Sequence, residues 1–260
     1  MIRLVHLVKR QPGLSGEEFD RLWRDRMGPA FAAQQVHLDI ARHVQTYRGA
    51  TTAPLETAAQ QDRGAMLPPV DGIAESWWGS EDALHAVLAS PDARRRLAQL
   101  AETLAEITDP AVSPLWLAHD HPQVATGATQ VVAGARTGVV KVHFAVTPLA
   151  HLGAAEAQRY WLTRHGPLVR SHAAARGALA YNQVHRAANP LTAELAAIFG
   201  ASTGDFTGHA EAWFDRSVPR SGPEADAAKA AAVADERQFI DWTRSSYLAG
   251  KERVFIDRDW

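Results

Sequence analysis

The sequence predicts an α+β fold assembled from two βαββαβ units. Three observations carry that reading. Element signals run strand, helix, strand, strand, helix, strand, and the same order then returns. The stretch Trp161-Leu162-Thr163-Arg164-His165-Gly166-Pro167 repeats Trp23-Arg24-Asp25-Arg26-Met27-Gly28-Pro29 at Trp, Arg, Gly and Pro, 138 residues on, with His165 in the place of Met27. Outlying pairs keep nearly the same offset: Gln45 and Arg48 with Gln183 and Arg186 at 138, Glu75 and Trp77 with Glu211 and Trp213 at 136, and His6 with His143 at 137. An internal repeat of this length decides the architecture before any single element does.

In chain order, Ile2 to Lys9 reads as a strand closed by a Gln-Pro-Gly turn. Ser15-Gly16-Glu17-Glu18 is a capping box, and the helix it opens carries Phe19, Leu22 and Trp23 at helical spacing. Gly28-Pro29 is expected to break that helix, since proline disfavours the α conformation in the residue before it. Ala41 to Arg48 is a second strand, Gly49 to Pro69 a long loop suited to a lid or insertion, and Ile73 to Trp78 a third strand. Ser80-Glu81-Asp82 caps a short helix, Pro91-Asp92 starts another running to about Thr108, and Val112 to Ala118 is the fourth strand.

Pro122 to Arg136, rich in Gly, Ala, Thr and Gln, reads as a linker between a first unit over 1–121 and a second over 137–260. In the second unit Val139 to Val146 is a strand, and Ala154 to Ala175 a helix broken at Gly166-Pro167. Ala180 to Arg186 is a strand, Ala187 to Asp205 a loop with a helical turn at Ala193 to Phe199, and Ala210 to Phe214 the third strand. Glu224 to Tyr247 is mostly helix, and Arg253 to Ile256 closes the unit. Two such units are ferredoxin-like halves, each a four-stranded antiparallel sheet with helices on one face. Burying the two bare sheet faces against each other is the economical arrangement.

Bulk properties exclude several function classes. Over 260 residues, 46% hydrophobic and 22% charged content is that of an ordinary globular chain. A net charge of −2 offers no electrostatic reason for nucleic acid or an anionic membrane as partner. No apolar run reaches membrane-span length, and the N-terminus enters a strand at once, so neither a membrane anchor nor a signal peptide is expected. The absence of cysteine removes disulfides and thiolate chemistry, and fits a cytoplasmic setting. No nucleotide loop, His-Glu-x-x-His or nucleophile elbow is present. His119-Asp120-His121 resembles a metal cluster only in composition, because consecutive strand residues point to opposite faces. The expectation is therefore no cofactor and no metal.

Leu14-Ser15-Gly16-Glu17-Glu18-Phe19, the Tyr160-Trp161…Arg164-His165-Gly166-Pro167-Leu168-Val169 motif and Phe239-Ile240-Asp241 resemble the EthD domain of the dimeric α+β-barrel superfamily. The resemblance covers most of the chain as two fused copies, roughly Met1 to His121 and Thr137 to Trp260; Met27 is the first copy's clearest departure. It implies that one chain supplies both halves of a barrel that relatives build from two chains. The superfamily includes lactone isomerases, cofactor-independent monooxygenases, dehydratases, cyclases and haem enzymes, so the fold implied is firmer than the reaction.

Strand alternation then sorts candidate site residues. In the second unit Ala180, Asn182 and Val184 share one face, and Tyr181, Gln183 and His185 the other; His209, Glu211 and Trp213 oppose Ala210, Ala212 and Phe214. The polar and aromatic set, His143, Tyr181, Gln183, His185, His209, Glu211 and Trp213, is expected to line the barrel interior and meet His165. The first-unit counterparts are His6, His43, Gln45, Tyr47, Ile73, Glu75 and Trp77. A helix C-terminus carries partial negative charge that holds an imidazole's proton, so His165 at the expected break is assigned as acid/base. Tyr181 and His185 are assigned as donors to a carbonyl oxygen, Glu211 as the group that orients an imidazole or accepts a proton, and Trp161 and Trp213 as ring-stacking walls. His143, Gln183 and His209 complete the binding set. A structural alternative stays open for each: Glu75 and Glu211 as satisfied buried pairs, His6 and His143 as half-buried strand residues, the tryptophans as packing.

These assignments imply a cofactor-independent lyase or isomerase, of dehydratase or cyclase type, doing acid–base chemistry on a small cyclic or aromatic carbonyl compound. A cofactor-free monooxygenase, a haem protein with one histidine ligand, and a non-catalytic binding barrel are the competing readings. The expected partners are a small-molecule substrate and a second copy of the chain in a homodimer, with no nucleic acid and no membrane.

Overall fold

Alternating strands rich in Val, Leu and aromatic residues fit a pleated surface buried on both faces, and eight of them close into one barrel. They are β1 (Ile2–Val8), β2 (Arg42–Arg48), β3 (Gly72–Trp78), β4 (Leu115–Val124), β5 (Val139–Val146), β6 (Ala178–Arg186), β7 (Gly208–Asp215) and β8 (Ser246–Asp257). The structure, a computed structural model, describes residues 1–49, 51–125, 130–218 and 221–258. Every pairing is antiparallel, in the order β1-β3-β2-β8-β5-β7-β6-β4, and the ring closes from β4 back to β1. Each half of the chain contributes four neighbouring strands, in the equivalent orders β4-β1-β3-β2 and β8-β5-β7-β6. The halves are joined at β2–β8 and β4–β6. Closure leaves no free sheet edge.

Helices cover the outside. In the first half they are α1 (Gly16–Leu22), α2 (Gly28–Ala33), α3 (Ala53–Arg63), α4 (Glu81–Ala89) and α5 (Pro91–Ala105); in the second, α6 (Ala154–Tyr160), α7 (Gly166–Ser171), α8 (Ala173–Arg176), α9 (Leu191–Phe199) and α10 (Pro223–Glu236). The capping box is formed, with Ser15 accepting from the Glu18 backbone and Glu18 reaching back. Among the described residues no helix is long and apolar enough to cross a membrane.

Neither Gly-Pro break occurs. Trp23–Met27 and Trp161–His165 are π-helical turns that carry α1 into α2 and α6 into α7. Proline has no N–H and its ring collides with the carbonyl four residues back. One wide turn moves that carbonyl aside, and Gly28 and Gly166 bond five residues back, to Trp23 and Trp161. The glycines are needed for proximity. A Cβ on Gly166 would lie 2.8 Å from Gln183 Nε2, and one on Gly28 would enter the Phe255 ring.

Other boundaries differ from expectation. The loop expected over 49–69 holds α3, and residue 50 within it lies outside the described residues. The linker expected over 122–136 begins inside β4, which pairs with β6 through Pro122 and Val124. Ala133 and Gly134 dock on Glu252, and residues 126–129 lie outside the described residues. The helix expected over 224–247 ends at Glu236, and β8 starts at Ser246, not Arg253.

The largest apolar cluster lies between the first-half sheet and its helices, with Trp23, Met27, Phe31 and Leu97. Leu195 and Phe199 of α9 join it, so a second-half helix seals the first half. A smaller cluster, including Val5, Ile73, Trp116 and Leu248, fills one end of the barrel interior. Over the second-half sheet the packing is thinner, split into two small clusters around Tyr181 and Phe239. That is where a cavity opens.

Candidate functional site

The barrel wall divides the expected site in two. In an antiparallel pair, directly opposed residues share a face. Asn182 is opposed to Glu211, so Asn182 and Val184 look inward, while Tyr181, opposed to Ala212, looks outward with Gln183 and His185. The same rule corrects the first half. Val5 and Val44 oppose Glu75, so His6, His43, Gln45 and Tyr47 lie on the outer face. His143 opposes Glu211, which makes Val5, not His6, its counterpart, at an offset of 138. Tyr181, Gln183 and His185 were expected inside with Glu211; they stand on the other side of the sheet from it.

The outer-face group surrounds a cavity of about 280 Å³ between the second-half sheet and the helices, with α3 as its lid. Val142, Phe144 and Ala212 form much of its floor, Trp161, His165 and Tyr181 one wall, and Arg63, Arg176 and Tyr247 stand around it. His165 is buried, on the π-turn, and its Nδ1 lies 2.8 Å from Asp235 Oδ2 of α10. Tyr160 donates from its hydroxyl to Asp235 Oδ1 at 2.8 Å. The His165 hydrogen bond holds the Asp235 carboxyl below its ordinary range, and burial with Asp235 pushes Tyr160 up to about 12. Among the described residues His165 Nε2 makes no hydrogen bond. Because the helix continues through Gly166, His165 is not at a free helix C-terminus; a carboxylate, not a helix dipole, faces its imidazole.

Tyr181 accepts from Trp161 Nε1 at 3.2 Å and from Gln183 Nε2 at 3.4 Å, which leaves its own proton to donate. Burial pushes it up to about 12, so it stays a neutral phenol. Gln183 also donates to the Trp161 carbonyl at 2.9 Å, tying β6 to the π-turn. His185 stacks on Trp161 with ring centroids 4.8 Å apart and meets Gln183 Oε1 at 3.1 Å. Burial lowers it to about 3, so it is a neutral prop behind the wall. Of the acid-binding groups, Arg63 is clamped by Glu236 at 2.6 Å and Lys229 by Asp62 at 2.9 Å. The Arg176 guanidinium makes no hydrogen bond among the described residues.

His143, His209, Glu211 and Trp213 form a second constellation inside the barrel. There Arg3 meets Glu75 and Glu211 at 2.9 Å each, and Lys141 meets Glu211, Glu75 and Glu252 at 2.7, 3.0 and 3.2 Å. Burial and Glu211 push the Glu75 carboxyl up, but Lys141 and Arg3 outweigh them and hold it below its ordinary range. The arrangement has an internal two-fold. Arg3 lies over Trp77, whose Nε1 donates to Asp120; Lys141 lies over Trp213, whose Nε1 donates to Glu252. His119 and His121 share no site with Asp120: Asp120 turns inward to Arg3, His119 meets Glu81 at the surface, and His121 packs on His185.

Sequence reasoning missed Asp235 and Arg176, and it anticipated a lid over 49–69 but not that a helix, α3, forms it. Asp235 is 70 residues from His165 on an alanine-rich helix without a signature, and only the fold joins them. Among the described residues the first half has no matching constellation: Met27 is fully buried, and Phe31 stacks on His43 at 4.3 Å where the corresponding space would be.

A family profile described as the EthD domain matches residues 11–107 and 150–243. No curated protein matches the chain. Among solved structures, a putative chlorite dismutase aligns over 97% of this chain and 94% of its own at 12% identity, with a TM-score of 0.44.

Proposed function

The chain belongs to the EthD family, and from that premise we propose that it is a cofactor-independent lyase or isomerase working in the outer-face cavity of its second half. The strand order supports reading residues 1–121 and 137–260 as ferredoxin-like units fused into an intramolecular dimeric α+β barrel. One observation carries the function. A buried His165, paired with the half-buried Asp235, presents an unengaged imidazole nitrogen beside a largely apolar cavity.

His165 Nε2 takes a proton from the carbon next to a ring carbonyl, and Asp235 stabilises the imidazolium that forms. Tyr181 donates its hydroxyl proton as a hydrogen bond to the carbonyl oxygen, where charge develops. Return of the proton to another carbon completes an isomerisation; its delivery to a leaving hydroxyl releases water and completes a dehydration. Trp161 and Phe144 bracket a flat ring, and Arg176 pairs with an acidic substituent. The substrate class is therefore a cyclic or aromatic carbonyl compound bearing an anionic group. His185 and Gln183 position Trp161 and Tyr181 rather than touch substrate. His143, His209, Glu211 and Trp213 take no part.

The test is exchange of α-protons for deuterium in carboxylated cyclic aryl ketones, followed by proton NMR. Wild-type protein should accelerate exchange, and His165→Ala should remove about 10²–10⁴-fold of it. Exchange that survives the substitution counts against the mechanism. Oxygen uptake with a quinol would favour a monooxygenase instead. A second reading rests on the same geometry: an imidazole with Nδ1 on a carboxylate and Nε2 free is also arranged as a haem ligand. A Soret band in the purified protein would favour that reading.

A further inference from the structure

The charged cluster inside the barrel holds two imidazoles that its internal two-fold does not explain. Val5 and Ile73 occupy in the first half the places that His143 and His209 take in the second. Both rings are fully buried, and His143 Nδ1 and both nitrogens of His209 lack a hydrogen-bond partner. Orphaned buried polar atoms cost on the order of 1–3 kcal/mol each, so they call for a reason.

Two of these nitrogens, His209 Nε2 and His143 Nδ1, converge on the two carboxylates. His209 Nε2 lies 3.3 Å from Glu211 Oε1 and 3.5 Å from Glu75 Oε1, and His143 Nδ1 lies 3.8 Å from Glu211 Oε1. One ligand atom from each of the four residues falls within 4.8 Å of every other. Ligands at about 2.0–2.2 Å in a tetrahedron stand about 3.3–3.6 Å apart; the two His209 distances match that spacing, and the His143 distance of 3.8 Å and the 4.8 Å span of the set require the side chains to close in on the ion. Thr46 Oγ1 engages His143 Nε2 at 3.2 Å and so fixes the ring with Nδ1 toward the cluster, as outer-shell partners of ligating histidines do. Each carboxylate offers about four lone-pair directions; Glu75, which meets only Arg3 and Lys141 at close range, keeps some of them free, whereas Glu211 already receives Arg3 twice, Lys141 and Asn182, so an ion there displaces one of those donors. Four carboxylates, Glu75, Glu211, Glu252 and Asp120, face two cations, Arg3 and Lys141; a divalent ion cancels the excess. A cavity of about 340 Å³ at the barrel mouth, lined by Trp77, Trp213 and Lys141, reaches Glu211 of the four candidate ligands.

We propose that Glu75, His143, His209 and Glu211 bind one divalent first-row transition metal inside the barrel, at a site separate from the outer-face cavity. Two imidazoles and two carboxylates suit zinc, iron(II) or manganese(II). The proposal does not depend on the chemistry assigned to His165.

The experiment uses the full chain, stripped by chelator, reloaded with zinc, desalted and measured by elemental analysis; cobalt(II) loading adds a visible spectrum. The expected result is one zinc per chain and the strong d–d absorption of a four-coordinate cobalt site. The double variant His143→Val, His209→Ile installs the first half's own residues, and should weaken zinc at least about tenfold. A His119→Ala, His121→Ala variant should keep it. Wild-type protein that retains no stoichiometric metal overturns the proposal, whether or not the double variant folds. So does a folded double variant that binds zinc as wild type does.

Discussion

Replacing Lys141 with methionine removes the cation that three buried carboxylates share. Its Nζ lies 2.7 Å from Glu211, 3.0 Å from Glu75 and 3.2 Å from Glu252, and all four side chains are at most 3% exposed. Water cannot replace the lost charge, and in the metal-free chain Arg3 is then the remaining cation beside Glu75 and Glu211. Breaking a buried ion pair from one side costs about 3–5 kcal/mol. At about 2–4 °C per kcal/mol for a chain of this size, the melting temperature falls by about 6–20 °C at pH 7. The pH dependence should change as well. In the wild type Glu75 and Glu211 have depressed folded-state pKa values, so their contribution is present above the ordinary carboxylate range and lost as pH falls from that range through the depressed folded values. In the variant, burial without the lysine raises a carboxylate, so lowering pH from 7 to 5 narrows the gap to wild type. Lys141→Arg, which copies the Arg3 of the other half, should cost far less. Thermal melts by circular dichroism at both pH values decide. A methionine variant melting within about 2 °C of wild type at pH 7 would refute the reasoning.

Acid should destabilise the wild-type chain before its carboxylates titrate. Burial lowers His6 to about 4 and His43 to about 3, so the unfolded chain binds more protons below pH 6.5. Stability is complete above that pH and falls by on the order of a few kcal/mol by pH 5, read as a lower melting temperature; a flat or rising profile would contradict it. Gly28→Ala drives a methyl into the Phe255 ring and should cost about 1–3 kcal/mol in denaturant melts. Asp235→Asn should lower kcat by about 10²-fold or more with KM little changed, because it removes imidazolium stabilisation, while Tyr160→Phe should have a smaller effect. Met27→His places an imidazole in a filled apolar core, so it should destabilise the fold by about 1–3 kcal/mol and add no second site.

The repeat and the strand-and-helix order were legible because they rest on local periodicity and on residues that recur at fixed spacing. The sidedness of β6 was not. Alternation separates Asn182 from Tyr181, but only the register against β7 tells which of them meets Glu211. A one-residue error in pairing exchanges the faces, and that is how His6 was matched to His143. Helix α3 was hidden because it buries only Glu56 and Ala59, too few positions for a helical stripe. Gly-Pro was read as a break because a π-turn has no residue pattern of its own, although its repetition at 28 and 166 marks it as a built feature. Within the site, His165, Trp161 and Tyr181 were found and do meet at one cavity. Asp235 and Arg176 come from other elements, and their proximity exists only once the chain is folded.

The central claim is that ligand chemistry belongs to the cavity outside the barrel wall. The most direct measurement is a crystal structure of the chain soaked with a carboxylated naphthol, a stable mimic of the enolate. The account predicts the ring between Trp161 and Phe144, its oxygen on Tyr181 and its carboxylate on Arg176. A ring found instead at the barrel mouth, between Trp77 and Trp213, would contradict it.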